Sequence, residues 1–225
     1  MRRLESDLEQ LNKQLLEMGA LVASSVHRSA LSLIDKNQVL AHQVIRDEAR
    51  VDQMEIQIDD LVTSMIALTQ PVARDMRMVI AAIKINTDLE RMGDLAVGIV
   101  ERSLSLMHQP ALPSLHRFAT LAQLVESMVL ESLDSFIKRD AETAHKILLS
   151  DDAVDNQRNE ITQELVSAMQ AQPEIIPRAL DLIVIARNLE RIADHATNVA
   201  EEVIFLVKGE VVRHMAEGLT NVDTL

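Results

Sequence analysis

The chain has 225 residues, enough for one large domain or two small ones that each bury a core. It carries no cysteine, only 1% aromatic residues and a net charge of −13. These values exclude a disulfide framework and a cysteine metal site, argue against an aromatic-rich β-sandwich or barrel, and disfavour contact with nucleic-acid phosphates or anionic lipid. No stretch approaches the roughly 20 apolar residues of a membrane-spanning helix. The opening Met1-Arg2-Arg3-Leu4-Glu5-Ser6-Asp7 has no signal-peptide apolar core, so the expected location is the cytoplasm.

Taken in order, the elements are helices separated by prolines. Leu4, Leu8, Leu11, Leu15, Met18 and Val22 recur every three or four residues and predict a first long helix. Val51, Met54, Ile58, Leu61, Met65 and Leu68 form the stripe of a second, predicted over about 38–68. A third is expected over 72–107, and three more over 114–138, 140–169 and 176–207. Pro71 splits the first half, Pro110 and Pro113 separate the halves, and Pro173 with Pro177 split the second, because proline disfavours helix interiors. The polar segment after Gly209, which contains Gly218, is expected to fray.

The third and sixth helices repeat one another. Leu89-Glu90-Arg91-Met92-Gly93-Asp94 matches Leu189-Glu190-Arg191-Ile192-Ala193-Asp194 at an offset of 100. Ile85, Leu89, Met92, Ala96 and Ile99 match Ile185, Leu189, Ile192, Ala196 and Val199. The second and fifth helices align at an offset of 103, where Glu48-x-x-Val51-Asp52 falls on Asp151-x-x-Val154-Asp155. Acidic residues recurring at one phase of the helix mark a duplication more specifically than shared apolar spacing does. The expected architecture is therefore all-α: two tandem three-helix bundles over 1–109 and 114–208, six long helices in all, with a C-terminal tail over 209–225.

Four acidic pairs sit at a spacing of four: Glu48 with Asp52, Glu90 with Asp94, Asp151 with Asp155, and Glu190 with Asp194. Residues four apart share a helix face, where like charges repel by a few tenths of a kcal/mol unless a cation lies between them. At about 100° per residue, Glu90 and Asp94 point away from the Leu89/Met92/Ala96 seam. One such pair is commonly a solvated helix face, but four in repeat-related places favour a cation site. Oxygen-only ligands suit Mg²⁺, Mn²⁺ or Ca²⁺ and also hold iron; they do not suit a closed structural zinc site. Arg91 and Arg191 are candidates for pairing with neighbouring acids; His195 is either a support behind a ligand or, more commonly, an incidental surface histidine, and Asn198 a ligand or a plain polar residue.

Other signals are weaker. Glu142-x-x-His145 has the spacing of a di-iron helix motif but lacks the second such pair that a di-iron bundle needs, which makes it a surface pair. The eleven methionines fit gap-filling in a helical core. No Gly-rich phosphate loop, nucleophilic triad or dinucleotide fingerprint occurs, so an enzyme is not expected.

Tandem three-helix units carrying Glu/Asp-x3-Asp, with Asp88-Leu89-Glu90-Arg91-Met92-Gly93-Asp94 and Asn188-Leu189-Glu190-Arg191-Ile192-Ala193-Asp194-His195-Ala196-Thr197-Asn198 on their last helices, resemble the PhoU family. The resemblance spans nearly the whole chain. It implies metal ions or clusters held by the eight carboxylates named above. It also implies a cytoplasmic regulator, often dimeric, that links a phosphate ABC transporter ATPase to a sensor histidine kinase. Such a protein restrains phosphate uptake and the phosphate-starvation (Pho regulon) response while phosphate is plentiful. Ala193 and Asp151 depart from the family's usual Gly and Glu; alanine still leaves room and Asp remains a valid ligand. Two alternatives stay open beside this one: a carboxylate-bridged helical metalloenzyme, and a plain helical interaction module whose acids are solvated charge.

Overall fold

A computed structural model describes residues 2–72, 74–112 and 115–209. Six long helices make up the fold: α1 (Arg2–Ile34), α2 (Gln38–Thr69), α3 (Arg74–Leu106), α4 (Leu115–Lys138), α5 (Ala141–Ala171) and α6 (Ile176–Lys208). The described residues include no strand. The expected junction residue Pro113, the start of the fourth helix at Ser114 and the tail beyond Gly209 lie outside the described residues. Elsewhere the predicted helix ends fall within about two residues of the observed ones. Pro173 and Pro177 both lie at the α5–α6 boundary: Pro173 opens a single 3₁₀ turn over Pro173–Ile175, and Pro177 sits in the first turn of α6. Proline is tolerated there because the first-turn N–H groups have no helical partner anyway.

The corners show the duplication as clearly as the long helices do. Lys36 (φ 51°) and Arg139 (φ 53°) both turn through the left-handed region before the next helix. Asn37 then caps α2 by accepting from the Val39 and Leu40 N–H groups, and Asp140 caps α5 by accepting from those of Glu142 and Thr143. Just upstream, Ser29 and Ser32 donate to the Val26 and Ser29 carbonyls; Ser132 and Ser135 do the same to Val129 and Ser132. Each pair of equivalents is 103 residues apart, so turn, cap and serine ladder were copied together.

Within each half the three helices pack on one another, and the halves join through α1 on α4 and α3 on α6. The α1–α4 contact is close at Gly19, where an added Cβ would overlap the Leu133 side chain. Across α3 and α6, Lys84 meets Glu202, Asp88 meets His195 and Arg102 meets Asp181, so the two helices run antiparallel. Leu11, Leu15, Met18, Ile58, Ile85, Leu89, Met92, Phe118, Phe136, Ile161, Leu165, Ile185, Leu189 and Ile192 are fully buried in one continuous core fed by all six helices. Fully burying an aliphatic side chain contributes about 1.5–3 kcal/mol, so this seam is the main source of stability.

Asp140→Ala and Asn37→Ala are each expected to lower stability by about 1 kcal/mol, the usual worth of an N-cap. Urea denaturation followed by helical circular dichroism measures this. No loss in either variant would contradict the capping roles.

Candidate functional site

The acidic faces arise from helix phase. Leu89, Met92 and Ala96 are fully buried, whereas Glu90 is half-buried and Asp94 exposed on the other side of α3. α2 lies against α3 and α5 against α6. That packing brings Glu48, Asp52, Glu90 and Asp94 into one electrostatic field, and Asp151, Asp155, Glu190 and Asp194 into another. The helix packing thus brings the two acidic pairs of each half together.

Their protonation reflects burial first and crowding second. Burial pushes the Glu48 carboxyl up to about 7, with Asp94, Asp52 and Glu90 adding to the rise. Glu90 is raised by burial and then by Asp94, Glu55 and Asp52, with Arg91 pulling it back. In the second half, burial pushes Asp151 up to about 6, helped by Asp194, Asp155, Asp152 and Glu190. Asp194 is raised by burial, then by Glu190 and Asp155, while His195 and Arg191 oppose the rise. Glu48 also has a buried Oε1 that finds no hydrogen-bond partner. Such an atom is costly in a folded protein unless something positive or protic satisfies it.

Glu48 lies directly over α3. A Cβ built on Gly93 would stand 2.7 Å from its Oε2 and 3.1 Å from its Oε1. With glycine there, the Glu48 carboxylate lies close over the α3 backbone; a larger residue would require that carboxylate to shift. At the matching places in the second half stand Asp151 and Ala193. The second half thus pairs a shorter carboxylate with an extra methyl where the first pairs a longer carboxylate with glycine.

Spacing alone missed several participants. Glu55 and Asp59 continue the α2 stripe three and four residues on, and Glu55 is raised by burial and by Asp59, Asp52 and Asp94. Asn86, fully buried, donates from Nδ2 to Asp59 Oδ1 at 3.0 Å and to the Glu55 carbonyl at 3.1 Å, leaving its own Oδ1 unpartnered. A search that ran the i, i+4, i+7, i+11 series past the first pair would have found the two acids. Arg158 is the other omission: its Nη2 donates to Glu190 Oε1 at 3.1 Å and lies 3.4 Å from Asp155 Oδ1.

The four expected supporting residues divide. Arg91, Arg191 and His195 act on neighbouring carboxylates through their charge. His195 Nδ1 and Asn198 Nδ2, however, hydrogen-bond to Asp88 across the α3–α6 contact, at 2.8 and 3.3 Å. They thus pin the junction between halves. Glu142 and His145 are both exposed, and Glu142 pairs with Lys146, in keeping with a surface role.

The donor set is oxygen-only and includes an orphaned buried carboxylate atom, which suits a hard cation. Among the described residues, no group of three His, Asp or Glu side chains stands ready-formed as a metal cage. Any ion would therefore have to draw these side chains inward.

The fold and its acidic faces define a duplicated all-helical protein with two carboxylate-lined surfaces. A family model described as the PhoU domain matches residues 15–103 and again 118–203, and the chain belongs to the PhoU family. It is 38% identical to the phosphate-specific transport system accessory protein PhoU homolog of Pseudomonas aeruginosa, over 97% of this chain and 90% of that one. It is 39% identical to the homolog so named in Aquifex aeolicus, over 94% and 96%. The crystal structure of PhoU from Pseudomonas aeruginosa superposes with a TM-score of 0.88 at 37% identity, covering 92% of this chain and 99% of that one. The structure of the phosphate transport system regulatory protein PhoU from Streptococcus pneumoniae gives 0.86 at 28% identity, covering 93% and 99%. The family is one of accessory proteins and not of enzymes, so the metalloenzyme alternative falls.

An acid whose pKa is raised by folding binds more protons folded than unfolded between the two values, so stability falls as pH rises through that window. For Glu48 the window runs from 4.5 to about 7, and for Asp151 from 3.8 to about 6. Metal-free protein is expected to melt at a lower temperature at about pH 8 than at about pH 5.5, and Glu48→Gln to flatten part of that slope. Thermal melts in chelator check this; an equal slope in wild type and variant would contradict it.

Proposed function

We propose that this chain is an accessory regulator of phosphate transport. The observation that carries the reading is the family match in both halves, together with relatives so named that align along nearly the whole chain. On this reading it works in the cytoplasm, as a homodimer, between a phosphate ABC transporter ATPase and a sensor histidine kinase. It restrains uptake and the Pho regulon while phosphate is plentiful. Among the described residues no helix is long and apolar enough to cross a membrane, which agrees with docking to membrane partners from outside the bilayer.

The acidic faces supply the second part of the proposal. Glu48, Asp52, Glu90 and Asp94 would hold a hard cation on the first half, and Asp151, Asp155, Glu190 and Asp194 are their counterparts on the second. Mg²⁺, Mn²⁺, Ca²⁺ or iron fits such ligands. A bound cation would remove the carboxylate repulsion and tie α2 to α3 at the surface, presenting partners with a face of altered charge.

Deleting the gene tests the regulatory reading. Phosphate-starvation reporters are expected to switch on in phosphate-rich medium when the restraint is lost. A reporter that stays silent in the deletion strain would argue against the role.

A further inference from the structure

The two acidic faces are copies by descent but not in chemistry. At the offset of 103, Glu48, Asp52, Glu55 and Asp59 on α2 fall on Asp151, Asp155, Arg158 and Thr162 on α5. The first face therefore gathers six carboxylates from α2 and α3. Among the described residues, none of the six forms an ion pair with a lysine, arginine or histidine. Two buried oxygens on this face lack partners, Glu48 Oε1 and the Oδ1 of the fully buried Asn86. Neither is explained by solvated surface charge, since water does not reach them.

The second face has four carboxylates and a guanidinium between its helices. Arg158 rises from α5 and donates to Glu190 on α6, with Asp155 of its own helix alongside and Asn159 Oδ1 accepting from Nη1 at 2.7 Å. Its side chain is 30% exposed, so the guanidinium is partly withdrawn from water, where its attraction to the acids is screened less than at the open surface. It stands where Glu55 stands in the first half and links the same two helices that a cation would link.

We propose that only the first face is open to a divalent cation, while Arg158 is the resident counter-ion of the second and keeps metal out of it. The chain thus carries one cation site and one internally closed copy, and Glu55 is a determinant of the open one. This rests on the cation reading above and deepens it. A divalent ion entering the second face would meet a positive charge already bonded to Glu190, one of the ligands it needs.

The test is calorimetric titration of Mn²⁺ into metal-free full-length protein, with helicity checked by circular dichroism. Wild type is expected to bind Mn²⁺ at the first face alone. Glu90→Ala with Asp94→Ala should abolish uptake, and Glu190→Ala with Asp194→Ala should leave it unchanged. Arg158→Glu is expected to open the second face and raise the number of ions bound about twofold, since it restores the residue of the first half. Arg158→Ala, which only removes the plug, should do so more weakly. Glu55→Arg should close the first face. Wild type binding equally at both faces, or Arg158→Glu leaving uptake unchanged, would overturn the asymmetry while the cation reading stands. Uptake by none of the proteins, Arg158→Glu included, would overturn both.

Discussion

The packing of α3 against α6 is the constraint on which the rest of the molecule depends. These two helices carry the buried seams of both halves and the Glu-x3-Asp pairs of both acidic faces, and they form the junction between the halves. Lys84 reaching the buried Glu202 while lying 5.9 Å from the Phe205 ring, and Asp88 receiving His195 and Asn198, fix their register. A shift of this contact would carry both faces with it.

Magnitudes explain why the acids can gather where they do. Each buried Leu, Ile or Met of the seam contributes about 1.5–3 kcal/mol, whereas a like-charge pair four residues apart costs a few tenths. The apolar seam therefore overrides the repulsion several times over. It holds carboxylates together on the opposite side of the helices, where burial first, and the neighbouring acids second, raise the pKa values of Glu48 and Asp151. On the first face Glu48 Oε1 is left without a partner, over α3 beside Gly93.

Helices, halves and the eight carboxylates were legible in the sequence because they depend on local periodicity, and a 3.6-residue repeat fixes both the buried seam and what lies opposite it. The paired corners at Asn37 and Asp140 are hidden in the sequence because one caps with an amide oxygen and the other with a carboxylate, so the repeat does not show as identity or charge. Arg158 was invisible for the opposite reason: a change of sign at a repeat-related position looks like loss of the repeat until both faces are seen. The Asp88–His195 bond joins residues 107 apart, and no local pattern in one helix specifies a partner in another.

The seam, and not the acidic faces, holds the fold. Denaturation in chelator of wild type and of a variant with all eight carboxylates changed to Asn or Gln tests it most directly. The account predicts equal helicity and a variant at least as stable as wild type near neutral pH. A variant that loses its helical fold, or unfolds at markedly lower denaturant, would show that the acids are structural and would contradict the account.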